Sequence, residues 1–225
     1  MNINPKVIRD ETKFLVFAHL SKALIVYILS SIISTVIVYN MQITVLGMNT
    51  PLDYTNPKTL GLVYGIIAIA FIVNLPLTFC AHRFYLALSR HTTLEPLPLK
   101  TFFEPFMSIS LFLKGSMIIL LTLILEVLGI FVLIFPVWLA FFPAIFVLAD
   151  DPEISLFGAL KKSAKIMKGN KMIAFKTLLP FFAFYIIATL FFNSFYFLSF
   201  FVTAISQLMI YVAFAMIYDK SRQNH

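Results

Sequence analysis

Cysteine is almost missing from this chain. Cys80 stands alone, so no internal disulfide can close and no multi-cysteine metal site exists. Glycine is nearly as scarce, seven in 225 residues, and none of it forms a loop that could cradle phosphate. There is no metalloprotease helix motif and no serine elbow. His82 and His91 lie nine apart and His19 lies far from both, without zinc-like spacing or a companion carboxylate, so all three read as interfacial histidines rather than ligands. The serines and threonines of the apolar stretches read as packing and hydrogen-bonding residues. No paired acid and base can be identified, so the expectation is a protein that is not an enzyme, with no catalytic residue, no metal and no cofactor. Charge is also thin: 12% of residues, against 60% hydrophobic where about 45 to 50 per cent is usual for soluble domains.

What fills the chain is apolar bulk. Twenty-six phenylalanines and a mean hydropathy of +0.94 describe a polytopic membrane protein with no room for a separate soluble domain. The net charge of +7 could suggest nucleic acid, yet the basic residues cluster at the ends of apolar runs, where they set membrane orientation. No nucleic-acid partner is expected. The first 22 residues are charged and amphipathic and lack a cleavage pattern after a short apolar core, so they are expected to remain uncleaved.

Read in order, residues 1–22 form an interfacial segment and 23–225 a transmembrane domain. Spans are expected at about 23–45, 60–81, 111–131, 134–149, 172–192 and 197–218. Pro76, Pro143 and Pro180 should break or bend three of them. Residues 46–59 form the largest outer loop, and 82–110 a basic, proline-punctuated segment against the bilayer surface. Gly115 to Ala149 holds 35 residues and one charge, Glu126; as a single helix it would run about 52 Å, so it must fold back, with a turn between Gly129 and Pro136. A tight turn near Asn193 and Ser194 separates the last two spans. The fold class is all-α, six transmembrane helices with amphipathic interfacial helices on the cytoplasmic side. Charge supports the count. If residues 1–22, 82–114, 150–176 and the tail share one side, they hold 16 of the 17 Lys and Arg, leaving only Lys58 outside. Both termini are then cytoplasmic.

The longest charged interruption, Ala149 to Lys171, contains a surface helix over 151–168. Asp151 is a suitable cap, Pro152 and Glu153 suit the first turn, and Gly169 supplies the stop. Ile154, Phe157, Leu160, Ala164 and Met167 recur at helical spacing, with Lys161, Lys162, Lys165 and Lys168 on the flanks and opposite face and Lys171 just beyond. These five lysines are the candidate lipid-surface residues. Capping accounts for the acids here without a metal. Within the spans, Glu126 is the one acid, and Asn74, Asn193 and Gln207 are polar neighbours for it. They read either as interhelical hydrogen-bonding groups or as an ion or proton site.

The opening KVIRDETKFLVFAHLSKAL, the central FPVWLAFFPAIFVLADDPEISLFGALKKSAKIMKGNK and the six-span layout resemble the YciC-like family of bacterial inner-membrane proteins. NLPLTFCAHRFYLALSRHTTL, with the run from ADDPEIS to MKGNK, is also similar to a broader group of bacterial integral membrane proteins. The specific part of the likeness is Pro143 to Lys171. The chain departs from the family in placing Val137, not glycine, after Pro136. The resemblance implies a bacterial inner-membrane location and brings over no catalytic residue. Two functions follow from the residues. One is a role in envelope or lipid homeostasis, in which the basic cytoplasmic surface engages membrane lipid, anionic phospholipid first, or an envelope-protein partner. The other is a small transporter or channel around Glu126, completed by homo-oligomerisation.

Overall fold

The computed structural model describes residues 4–31, 57–91, 97–130, 134–191 and 196–223, and every regular element among them is helical. Helix α1 (Pro5–Ala18) starts where Asn4 accepts a hydrogen bond from the Lys6 amide and Pro5 occupies the first turn. It buries Ile8, Thr12 and Val16, one residue per turn, against α10. At His19 the chain bends by 84° into α2 (Leu20–Ser31). The rest of the first expected span and the loop over 46–56 lie outside the described residues.

Helix α3 (Pro57–Ser89) runs through Pro76 and continues two turns past the end that composition suggested. The segment from His82 to Ser89 is therefore a helix packed in the bundle rather than a surface strand of chain; its apolar residues Phe84, Tyr85, Leu86 and Leu88 are buried and hold it there. A short helix α4 (Lys100–Phe103) and a 3-10 turn (Glu104–Met107) meet α5 (Ile109–Ile130) at 104°. Helices α6 (Ile134–Phe141) and α7 (Ala144–Asp150) are broken at Phe142 and Pro143, as the proline suggests. Lys114 Nζ donates to the carbonyl of Pro152 at 2.7 Å, so residues 115–149 return to the end from which they left. The turn itself, 131–133, lies outside the described residues.

Helix α8 (Leu156–Ile166) is followed by α9 (Lys171–Phe191) and α10 (Tyr196–Arg222). Among the described residues three helices are by themselves long and apolar enough to cross a membrane, those over Leu60–Ser89, Lys171–Leu190 and Phe201–Arg222, and the bent pairs α1 with α2 and α4 with α5 bring the number to five. Their burial differs sharply. In the apolar window of α10, 67% is enclosed, against 28% for both α3 and α9, so α10 is the central post and the other two present apolar faces outward. Ile72 on α3 and Leu190 on α9 are among the exposed side chains. Such continuous apolar exposure is what lipid, not water, accommodates.

Candidate functional site

The charged segments meet at one end of the bundle, and Asp150, the last residue of α7, is their hub. Arg90, just past α3, grips it bidentately, Nη1 to Oδ1 at 2.6 Å and Nη2 to Oδ2 at 2.8 Å. Tyr218 Oη and Arg222 Nη1, both from α10, donate to the same Oδ2 at 2.8 and 2.7 Å. Arg90 also donates to both carboxylate oxygens of Asp219. Burial alone would raise the Asp150 carboxyl, but hydrogen bonds from Arg90 and Tyr218 and the charges of Arg90 and Arg222 outweigh it and hold the group below the usual carboxylate value. The hydrogen bond to Asp150 is the largest influence on Arg90, and with Asp219 it overrides burial and drives the guanidinium further toward its charged form. Chemically this is a clamp on three helix ends, saturated by its own partners. In the sequence Asp150 is one acid of the charged interruption and Arg90 one basic residue of 82–110, with nothing local to join them.

Around the clamp, further side chains tie the N-terminal segment to each of the other three. Lys22 Nζ donates to Leu97 O at 2.9 Å, Arg9 Nη1 to Lys176 O at 2.9 Å, and Lys220 pairs with Glu11. Arg83 pairs with Glu104 at 3.0 Å.

Helix α8 differs from this pattern. Its cap is Ser155, whose hydroxyl accepts from the Gly158 amide at 3.1 Å, not Asp151, which closes α7. The helix therefore starts four residues later than Pro152 and ends at Ile166, with Gly169 at φ +86 providing the stop. Ala159, Leu160, Ser163, Ile166 and Met167 form its buried face. Phe157, expected on that face, is 77% exposed: the buried stripe runs through Ala159, Ser163 and Ile166, and Phe157 stands one turn before Lys161 on the other side. Ser163 Oγ donates at 2.7 Å to Ala140 O, one of the carbonyls that the end of α6 leaves open, and this anchors α8 to the broken helix pair. Lys161, Lys162, Lys165 and Lys168 are exposed, while Lys171 is half-buried at the start of α9. Among the described residues none of the five forms an ion pair or a side-chain hydrogen bond.

The side chain of Glu126 and the whole of Asn193 lie outside the described residues. Asn74 and Gln207 are half-buried on α3 and α10 and no hydrogen bond joins them. The structure instead places Asn74, Thr78, His82 and Tyr85 on one stripe of α3. Thr78 Oγ1 donates to Asn74 O at 2.8 Å, and His82 Nδ1 lies 2.7 Å from Thr78 O, which fixes it as the protonated nitrogen. His82 is only 2% exposed, enclosed by Phe142, Phe146, Tyr85 and Tyr211, so it is a core residue and not an interfacial one. Asn74 Oδ1, His82 Nε2 and Tyr85 Oη have no hydrogen-bond partner among the described residues. Nothing in the run NLPLTFCAHRFY announces this, because the helical continuation past Ala81 decides it. His19 is likewise buried, its ring edge against His91 with centroids 5.5 Å apart. No family model, curated protein or solved structure matches the chain.

Proposed function

We propose that this chain is a non-enzymatic protein of a bacterial inner membrane, crossing it six times with both termini in the cytoplasm, and that its basic cytoplasmic face holds anionic phospholipid in envelope or lipid homeostasis. One observation carries the reading. Arg9, Lys22, Arg83, Arg90, Lys114, Lys220 and Arg222 are engaged by carboxylates or carbonyls of the protein, whereas Lys161, Lys162 and Lys165 on α8 and Lys168 in the turn after it are exposed and have no partner among the described residues. Phe157 beside them supplies an apolar anchor, and Phe14 on α1 is similarly exposed. Three long helices, two bent pairs and the shorter α6 with α7 are compatible with six passages. A small transporter built on Glu126 draws less support. Transporters use broken helices to present free carbonyls to a substrate, but here Arg9 occupies Lys176 O near Pro180 and Ser163 occupies Ala140 O near Pro143.

Near an anionic surface each lysine contributes about 1 kcal/mol, or roughly fivefold in affinity. Replacing Lys161, Lys162, Lys165 and Lys168 together by glutamine is expected to strip most bound phosphatidylglycerol from the purified protein in native mass spectra while helical content is unchanged. Equal retention by the variant would sink the proposal.

A further inference from the structure

A second lipid contact is built on different elements, around the proline in α9. Pro180 has no N–H, so the carbonyl of Lys176, four residues earlier, loses its helical donor. Arg9 of α1 supplies the replacement at 2.9 Å. This bond repairs the helix and also fixes a guanidinium, with donors to spare, against the flank of an apolar span. One turn further along α1, Lys13 is exposed and has no partner among the described residues. A turn beyond that, Phe17 continues the same side of the helix and is 56% exposed.

These three side chains close one end of a groove of about 460 Å³ between α9 and α10. Its walls are apolar, including Phe184, Val202, Ile205 and Met209, and among the described residues no acidic side chain lines it. Glu11 is drawn to Lys220 and Asp10 does not line the groove. The volume falls within the range of about 300 to 1,000 Å³ typical of small-molecule sites. An apolar trough with two cations at one end complements a single class of molecule, an anionic amphiphile. A soluble anion would leave the trough empty, and a zwitterionic headgroup would find no carboxylate for its cation. The helices that form the trough are two of those long enough to cross the membrane, so the amphiphile at hand is lipid.

We propose that this groove binds one anionic phospholipid, its phosphate between Arg9 and Lys13 and an acyl chain between α9 and α10. The site is independent of the lysine face of α8, and the two can be separated. The full chain with Lys161, Lys162, Lys165 and Lys168 already changed to glutamine is purified in detergent and titrated, in native mass spectrometry, with phosphatidylglycerol and with phosphatidylcholine. One phosphatidylglycerol is expected to remain bound in preference to phosphatidylcholine. Adding Lys13→Gln, at an exposed position without a protein partner, is expected to weaken it roughly fivefold. Arg9→Gln should do at least as much, and Val202→Phe, which fills the trough, should lower retention with the charges intact. Unchanged binding in Lys13→Gln and Arg9→Gln, or equal retention of phosphatidylcholine, would overturn the groove while leaving the α8 proposal standing. Complete loss of phosphatidylglycerol on neutralising α8 alone would also overturn it.

Discussion

At the scale of single residues, Asp150 has the most at stake. Four donor groups from Arg90, Tyr218 and Arg222 converge on one carboxylate, so Asp150→Asn leaves two guanidinium groups facing a neutral amide. Breaking a buried pair costs about 3 to 5 kcal/mol, but the two arginine side chains are 36% and 45% exposed, and screening reduces the expected loss to roughly 1 to 3 kcal/mol, read from denaturant unfolding in detergent. The pH dependence has a definite sign. Because the folded carboxyl lies below its ordinary value, its contribution is complete above about pH 4 and is lost as pH falls below that through the lowered value. Wild-type stability should therefore decline on acidification below about pH 4, and the Asn variant should show a shallower decline. Sequence disclosed the acid but not its partners. Arg90 lies 60 residues away and Arg222 lies 72, and local composition carries no information about which distant cation arrives.

Among the elements, α3 and α5 show how closely the helices must approach. A Cβ added to Gly115 would lie 2.3 Å from a ring carbon of the fully buried Phe79, so α5 can pack there only with glycine. Gly115→Ala is expected to cost about 1 to 3 kcal/mol by overpacking, and Phe79→Leu in the same chain should recover part of it; additive losses in the double variant would show that the ring is not the obstacle. The helical periodicity of α8 was legible, as was its stop at Gly169. Its start was not. Asp151, Pro152 and Glu153 have the chemistry of a helix start, yet Asp151 is already the end of α7, so Pro152 and Glu153 form a turn, closed by the Ile154 amide on Asp151 O, before Ser155 caps the next helix. The break at Pro143 was readable from residue chemistry alone, because a missing amide acts locally. The satisfaction of the carbonyls left open at such breaks depends on Ser163 and Arg9, which belong to other helices.

For the whole molecule, the four charged segments converge at one end, and this gives a topological test. On a Cys80→Ser background, single cysteines at Lys13, Lys100, Lys168 and Arg222 are expected to react with a membrane-impermeant reagent from the same face of sealed vesicles. One of them reacting only from the opposite face would refute a shared side. Apolar content and scarce, clustered charge determined by themselves that the chain is all-helical and suited to a membrane, since both properties are local sums over residues. The excess length of residues 115–149 likewise determined that this stretch folds back. Tertiary structure alone decided that α10 is the enclosed helix, that His82 belongs to the core and that seven of the basic residues are held by acceptors of the protein while Lys161, Lys162, Lys165, Lys168 and Lys13 have no partner among the described residues. The reason is physical: hydrophobicity and helical period are written along the chain, whereas the partner of a charge and the burial of a face depend on which helices pack together.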